Sequence, residues 1–271
     1  MSDTENRFAG NIERFSGYAE VYDRYRPSPP DLLSDVITQW AGLKHLHLVI
    51  DLGSGTGLAS RYWAERAEQV IGIDPTSDMR RQAEAWTSTG NVTYLEGFSH
   101  QTGLPDHCAQ VVSASQALHW MEPQATFREA ARILVHGGVF AAYDYDWPPV
   151  TGCWKAEAAY EACIRRVRTA EKTYSNPTPI RDWDKAQHLA RMRASGSFRY
   201  MKEVVMQHVD RGNAERLVGL LLSQGSVMTL LKAGYSEAQL GIDRLREIAQ
   251  KGLGTTPNVW YWSSRVRLGI V

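Results

Sequence analysis

Short apolar runs alternate with amphipathic stretches through the middle of the chain. The apolar runs have the length of buried strands, and the stretches between them repeat apolar residues every three or four positions, as one face of a helix does. Five strands with helices between them predict an α/β protein with a doubly wound, parallel sheet. We predict these strands at 47–50, 69–74, 91–97, 109–115 and 139–147.

Two further helices are predicted ahead of the sheet. Within residues 8–26, apolar side chains recur at spacings of three and four, which predicts one helix with a single apolar face. The prolines of 27–30 are expected to end it, and 31–41 has the pattern of a second helix. Later in the chain, Gly137 and Gly138 follow an amphipathic stretch and are expected to end its helix.

The alternation stops after the fifth predicted strand. Residues 148–190 contain Trp-Pro-Pro, a helical stretch rich in Ala, Glu and Arg, and the loop YSNPTPI, which together predict an inserted lid. Strand patterns return at 197–209 and 259–269, with helical sequence between them. The predicted organisation is an N-terminal helical lid (1–43), a cofactor-binding core (44–148), an inserted helical lid (149–190) and a C-terminal completion of the sheet (191–271).

Composition narrows the choice of partner and compartment. The chain has 271 residues with 30 basic and 30 acidic side chains, so it has no net charge to attract nucleic acid. It lacks an apolar run long enough to span a bilayer, and its first residues lack the apolar core of a signal peptide. Its three loosely spaced cysteines favour a reducing compartment. We therefore expect a cytoplasmic protein with a small-molecule partner, and a homodimer is compatible with the sequence.

The sequence DLGSGTG, from Asp51 to Gly57, lies between the first strand and the next helix. Glycine permits positive φ angles and lets a ligand approach the backbone, so this turn is a candidate nucleotide site. The spacing of its glycines departs from the dinucleotide fingerprint, because Leu58 stands where the third glycine is expected. The carboxylate of Asp51 would also repel a pyrophosphate but attract a cationic amino-acid group.

Four motifs together resemble the class I S-adenosylmethionine-dependent methyltransferases of the small-molecule, type 11 or trans-aconitate group. The resemblance covers about residues 45–145 and implies a Rossmann-like sheet of seven strands with the last strand antiparallel. It also implies S-adenosyl-L-methionine as the cofactor. The motifs are DLGSGTG at 51–57, GIDPTSDM at 72–79, EGFSHQTGLPD at 96–106 and QALHWM at 116–121.

The resemblance implies a role for each residue of the first motif. Gly53, Ser54 and Gly55 would pass beneath the methionine part of the cofactor, and Asp51 would lie near its amino group. Gly57 completes the same turn.

The second and third motifs are implied to hold the nucleoside. Asp74 would bind the ribose hydroxyls, and Met79 would pack on the adenine. Many relatives have an acid where this chain has Phe98, so adenine recognition would fall to backbone groups and Ser99.

The strand at 109–115 runs into polar and aromatic residues at its carboxyl end. Ligands of doubly wound sheets bind at this end of the strands. We therefore expect Gln116 to contact the cofactor and His119 to be the first candidate for the general base that takes a proton from the acceptor. The alternative is that His119 and Trp120 only begin the following helix.

The segment FSGYAEVYDRYRPSPP, at 15–30, resembles the N-terminal lid of methyltransferases that act on small carboxylates. This resemblance makes Arg26 a candidate for binding a carboxylate, of substrate or cofactor, and Tyr22 a candidate hydrogen-bond partner. In the alternative interpretation Tyr22 packs and Arg26 forms a structural salt bridge.

The lid, the stretch SFRYMKEVVMQHV and the ending WYWSSRVRLG resemble methyltransferases that act on the β-carbon of 2-oxo acids. Such a reaction needs stabilisation of an enolate by hydrogen-bond donors or a metal. His119, His188 and His208 are candidate ligands of a divalent metal. The alternatives are O-methylation of a small carboxylate, a non-catalytic regulator that binds the cofactor, and, more remotely, a nicotinamide oxidoreductase.

Overall fold

A computed structural model describes residues 3–174 and 178–271, with side chains described from residue 8 onward. The chain divides into two compact units. We call them the sheet unit (Ser28–Tyr145, Arg181–Met206 and Ser264–Val271) and the helical unit (Met1–Pro27, Asp146–Ile180 and Gln207–Ser263). The four-part organisation expected from the sequence stays a prediction.

Seven strands of the described chain form one sheet in the order β3-β2-β1-β4-β5-β7-β6. Strands β1 to β5 pair in parallel, and β7 runs antiparallel to β5. The predicted seven-stranded sheet with an antiparallel last strand is therefore confirmed. The strands are β1 (Leu46–Leu52), β2 (Ala67–Ile73), β3 (Val92–Leu95), β4 (Ala109–Ser115), β5 (Leu134–Tyr145), β6 (Tyr200–Gly212) and β7 (Asn258–Ile270).

The helices of the sheet unit follow the strands as the periodicity predicts. The side chain of Glu122 accepts hydrogen bonds from the first amides of α6, and Pro123 occupies the first helical position, where its missing N–H costs nothing. These helices are α3 (Leu33–Ala41), α4 (Leu58–Ala64), α5 (Ser77–Trp86), α6 (Pro123–Ile133) and α8 (His188–Ser195).

The helical unit contains the remaining α-helices of the described chain. They are α1 (Asp3–Phe15), α2 (Ala19–Tyr25), α7 (Trp154–Thr173), α9 (Ala214–Leu222), α10 (Gly225–Lys232), α11 (Glu237–Leu240) and α12 (Ile242–Leu253). No helix in the described ranges combines the length and the apolar content that crossing a bilayer requires.

Two apolar clusters fill the sheet unit. Neighbouring strand residues such as Val49 and Ile50 belong to different clusters, because successive side chains of a strand point to opposite faces. Phe127 of α6 packs edge to face against Phe140 of β5 at a centroid distance of 5.7 Å. The sheet is therefore covered on both faces. Ligands of such sheets bind beyond the carboxyl ends of the strands.

Two of the predicted helix boundaries are wrong. Residues 8–26 form parts of α1 and α2 rather than one helix, because Gly17 between them adopts a left-handed φ of 82°. Gly137 and Gly138 do not end α6; they lie within β5, where the pairing register with β4 shifts between Ala109 and Val111. An added Cβ at Gly138 would lie 2.8 Å from the carbonyl oxygen of Val135, so glycine is required by this irregularity.

The predicted inserted lid contains α7 and the loop YSNPTPI. Residues 175–177 of that loop lie outside the described residues.

Candidate active site

The glycine-rich turn joins β1 to α4 and is fastened to the end of β2. The amides of Gly53 and Ser54 donate to the carbonyl oxygen of Ile73 at 2.7 and 3.1 Å. Gly53, Gly55 and Gly57 have φ angles of 65°, 53° and 84°, a region that side chains disfavour. The backbone of the turn is thereby held in one conformation at the carboxyl end of the sheet.

The three glycines of this turn are required for different reasons. A Cβ on Gly53 would lie 2.7 Å from the Cβ of Ala117, and one on Gly57 would lie 2.3 Å from the Oη of Tyr94. A Cβ on Gly55 would meet nothing closer than the carbonyl oxygen of Gly53, at 4.0 Å. Packing inside the protein therefore explains Gly53 and Gly57, whereas Gly55 borders open space that a ligand can fill.

Several buried polar atoms near this turn lack a hydrogen-bond partner. They are the hydroxyl oxygens of Ser54 and Thr56 and the Nε2 of Gln116, which follows the neighbouring strand β4. Buried polar groups are nearly always bonded, so each unpaired atom indicates a missing partner. The open space at Gly55 and these donors fit a polar ligand such as the amino-acid part of S-adenosylmethionine.

Asp74 follows directly after β2, within the same region. Its carboxylate is only 8% exposed and accepts hydrogen bonds from the amides of Gly55, at 3.0 Å, and Thr76, at 2.8 Å. Burial raises the pKa of this carboxyl, while the two amides oppose the shift. A carboxylate offers about four acceptor positions, so Asp74 retains the capacity to accept from ribose hydroxyls.

Asp51 lies beneath the turn with no exposed surface. The hydroxyls of Ser60 and Ser113 donate to its carboxylate at 2.7 and 3.0 Å, and Trp63 donates in turn to the Ser113 hydroxyl at 3.1 Å. Burial raises the pKa of Asp51 to about 6 despite the two hydroxyls. These contacts give Asp51 a structural role under the turn, and its contact with the cofactor's amino group stays a prediction.

We expect Asp51→Asn to change the pH dependence of stability. The folded-state pKa of about 6 lies above the ordinary aspartate value of 3.8, so the folded state holds the proton more tightly. This group therefore lowers the free energy of unfolding as pH rises from about 4 to about 6, by roughly 3 kcal/mol in total. Urea unfolding at several pH values should show Asp51→Asn gaining stability relative to the native protein over this interval.

The exposed Glu84 provides the control for that experiment, as Glu84→Gln removes a carboxylate from the surface of α5. A stability difference between Asp51→Asn and the native chain that stays constant from pH 4 to pH 7 would contradict the raised pKa.

Gln116 and His119 follow the end of β4, as predicted. Gln116 has a φ of 51°, which is strained for a residue with a side chain, and its amide donates to the carbonyl of Tyr143 at 2.9 Å. His119 lies on a 3-10 turn, Leu118–Trp120, with its Nδ1 3.7 Å from Oδ1 of Asp144. A strained backbone beside a histidine–carboxylate pair is typical of a functional site.

Asp144, at the end of β5, is fixed by two cations. Arg267 donates to its Oδ2 at 2.8 Å, and the Nζ of Lys185 lies 2.8 Å from its Oδ1. Burial alone would raise the pKa of Asp144, but Lys185, His119 and Arg267 together lower it to about 2. Asp144 is therefore a permanent anion beside the His119 ring.

Met79 and Ser99 are the remaining residues that the sequence predicts to contact the nucleoside. Met79 is buried on α5, and the hydroxyls of Ser99 and Thr126 share a hydrogen bond of 2.8 Å. Their contacts with adenine stay predictions.

Tyr22 and Arg26 belong to the helical unit, whereas His119 belongs to the sheet unit. The Arg26 guanidinium stacks on the rings of Tyr22, at 4.6 Å, and Trp147, at 4.7 Å. It donates to the hydroxyl of Ser223 at 2.7 Å and to the carbonyl of the same residue at 2.8 Å. These contacts favour a packing role for both residues, with hydrogen bonds to Ser223 in place of a salt bridge for Arg26.

The predicted metal triad of His119, His188 and His208 is not found. No group of three or more His, Cys, Asp or Glu side chains within residues 3–174 and 178–271 is arranged to hold a metal ion. His188 has no exposed surface, and burial lowers its pKa to about 4. His208 stacks on Trp262 in the helical unit at a centroid distance of 6.2 Å. His188 is therefore enclosed by protein, and His208 is held against Trp262.

Three charged residues of the site were not predicted from the sequence. Asp144 had a usable signal, because it is a polar residue at the carboxyl end of a buried strand, as Gln116 is for β4. Lys185 and Arg267 carry no local signal, since they reach Asp144 only through the fold.

Comparison with known proteins agrees with this site. A family model described as a methyltransferase domain matches residues 50–142. A candidate methyltransferase of Dictyostelium discoideum is 27% identical over 149 residues, 55% of this chain and 55% of that protein. The malonyl-(acyl-carrier protein) O-methyltransferase of Pectobacterium atrosepticum is 32% identical over 135 residues, 48% of this chain and 50% of that protein. The chain thus spans about half the length of these curated relatives.

A solved structure extends the likeness over most of the chain. A candidate type II methyltransferase from Anaeromyxobacter dehalogenans superposes with a TM-score of 0.63, covering 91% of this chain and 98% of that one. Its sequence identity of 22% establishes the fold alone. The matched domain includes the glycine-rich turn, Asp74 and His119. Residues 50–142 therefore match a methyltransferase domain, and the fold over most of the chain is that of this solved structure.

Proposed function

We propose that this chain transfers a methyl group from S-adenosylmethionine to a small-molecule acceptor. The observation that carries the proposal is the glycine-rich turn, with open space at Gly55 and unpaired buried hydroxyls on Ser54 and Thr56. Asp74 adds a carboxylate suited to a ribose. When bound, the cofactor supplies an electrophilic methyl group on a positively charged sulfur.

The residues of the chain contribute orientation and proton removal. Holding the acceptor in line with the methyl carbon is proximity catalysis, which the fixed ends of β1 and β4 support. His119 is placed to accept a proton from the acceptor, and Asp144 is a positioning residue that favours the charged imidazole once the proton has arrived.

We infer that the acceptor is a small 2-oxo acid methylated at its β-carbon. A proton on that carbon is weakly acidic, so the reaction needs both a base and a donor for the developing enolate oxygen. His119 beside Asp144 supports the first requirement. The unpaired Nε2 of Gln116 carries two N–H donors, and one of them supports the second requirement while the other stays available to a further acceptor. The resemblance of the lid and the last strands to 2-oxo acid methyltransferases points to the same class.

A second candidate is O-methylation of a carboxylate. It is favoured by the similarity to the malonyl-(acyl-carrier protein) O-methyltransferase, whose name describes that reaction. A carboxylate is already deprotonated at neutral pH and needs no base, so His119 would be dispensable in this case.

Mass spectrometry of a 2-oxo acid panel tests the proposal. We expect a gain of one methyl group on at least one acid, with the acid remaining free rather than esterified. Incubation in deuterium oxide without cofactor should exchange the β-carbon proton of the same acid, and His119→Gln should abolish this exchange. Methyl ester as the sole product would establish the second candidate, and no product from any acid would contradict both.

A further inference from the structure

The segment 181–188 is tied across the ends of β4 and β5. The amide of Trp183 donates to the carbonyl of His119 at 2.8 Å. The Nζ of Lys185 donates to Oε1 of Gln116 at 3.0 Å, and Arg267 donates to the carbonyl of Lys185 at 3.3 Å. Lys185 is therefore fixed beside the candidate base rather than extended into solvent.

Lys185 has binding capacity left after these contacts. An ammonium group carries three donors; Lys185 donates one to Gln116 at 3.0 Å and forms an ion pair with Oδ1 of Asp144 at 2.8 Å. The side chain is 36% exposed, in contrast to the 2% of Arg267, which pairs with the other oxygen of Asp144. An incoming ligand can reach Lys185 but not Arg267.

A second carboxylate adjoins the Asp144–Arg267 pair. Arg267 also pairs with Glu203 at 2.7 Å, and Arg265 lies 3.9 Å from the same carboxylate. Arg267 is thereby held between two carboxylates, whereas Lys185 is the cation that contacts Gln116, so its ammonium is the positive charge that an incoming anion meets beside Gln116.

Gln116 supplies a second donor at the same place. Its Oε1 accepts from Lys185, which leaves Nε2 of the same amide buried and unpaired, on a residue only 8% exposed. An ammonium and an amide N–H held side by side match the two oxygens of a carboxylate. Leaving Nε2 without a partner would cost about 1–3 kcal/mol, which an acceptor oxygen would recover.

We propose that Lys185 and Gln116 form the subsite that binds the carboxylate of the methyl acceptor. This inference rests on the proposed function, since it places that carboxylate beside His119. The subsite selects acids over their neutral amides, because only an anion gains from the charge of the Lys185 ammonium.

Calorimetry on protein saturated with S-adenosylhomocysteine tests the subsite. The probes are 2-oxobutanoate, 2-hydroxybutanoate and the neutral 2-oxobutanamide. Lys185→Met keeps the length of the side chain but removes its charge, and we expect it to weaken binding of both acids about tenfold or more while leaving the amide unchanged. Lys185→Arg should retain part of the preference for the acids, whereas Lys202→Met, on the exposed surface of β6, should bind all three probes as the native protein does.

The outcomes separate the subsite from the proposed function. Equal binding of acid by Lys185→Met and the native protein, equal losses for acid and amide, or no acid binding by the native protein would each overturn the subsite. Acid binding that depends on Lys185 without any methylated product would support the subsite and contradict the proposed function. Methylation of acids that proceeds equally well in Lys185→Met would support the proposed function and contradict the subsite.

Discussion

Gly55→Ala is expected to weaken binding of S-adenosylhomocysteine by about a hundredfold or more, equivalent to about 2.7 kcal/mol. The added methyl group would occupy the space beside the turn, where the nearest protein atom is 4.0 Å away, so it meets the ligand and not the protein. Gly55→Val should abolish binding, because its larger side chain fills more of the same space. Calorimetry of each purified variant provides the affinity.

The strain of the substitution must be separated from its effect on the ligand. Gly55 has a φ of 53°, and a side chain in this region costs about 1–2 kcal/mol of stability. Gly42→Ala is the matched control, since Gly42 has a φ of 65° and no neighbour within 4 Å of an added Cβ. The account is supported if Gly55→Ala and Gly42→Ala lose equal stability but only Gly55→Ala loses binding of S-adenosylhomocysteine. Unchanged affinity in Gly55→Ala would show that the ligand lies elsewhere.

His119→Gln is expected to lower turnover by about 10²–10⁴-fold, the usual contribution of a general base. Affinity for S-adenosylhomocysteine should change little, because the residues proposed to hold it are on the glycine-rich turn, β2 and α5. Steady-state kinetics with the accepted acid and calorimetry with S-adenosylhomocysteine measure the two quantities. Equal losses in both, or no loss in turnover, would contradict the assignment of His119 as the base.

Asp144→Asn tests the positioning part of that assignment. Removing the anion 3.7 Å from Nδ1 of His119 should move the rising limb of the pH–rate profile to lower pH, because a nearby carboxylate favours the protonated imidazole. Urea unfolding must accompany the kinetics, since Arg267 and Lys185 lose their shared partner in this variant. A fall in activity with an unshifted profile would indicate a structural role for Asp144 only.

The positions of the strands could be predicted because local pattern and turn chemistry agree in the sheet unit. Residues 109–115 form β4 as predicted, since an apolar run within an α/β alternation has few other ways to be buried. The glycine-rich turn was predicted for the same reason, because three glycines between a strand and a helix have a conformational cause. Gly137 shows the limit: it was expected to end a helix, but its positive φ of 80° lies within a strand.

The contacts that join Asp144, Lys185 and Arg267 could not be predicted from the sequence, although Asp144 itself had a signal as a polar residue at the end of a buried strand. Asp144 and Arg267 are 123 positions apart, and Lys185 reaches Gln116 across 69 positions. Nothing local to Lys185 distinguishes it from a solvated surface lysine, because its contacts arise only after β5, β7 and the 181–188 segment have packed. The histidine triad was wrong for a related reason. Residue type alone suggested a metal, whereas burial of His188 and stacking of His208 decide their actual surroundings.

The position of S-adenosylhomocysteine in a crystal structure of its complex with this chain tests the central claim most directly. The account predicts the amino-acid part of the ligand against the backbone of Gly53 to Gly55, with its ribose hydroxyls on the carboxylate of Asp74. A turn left empty at saturating ligand, or one that takes up the pyrophosphate of a dinucleotide instead, would contradict it.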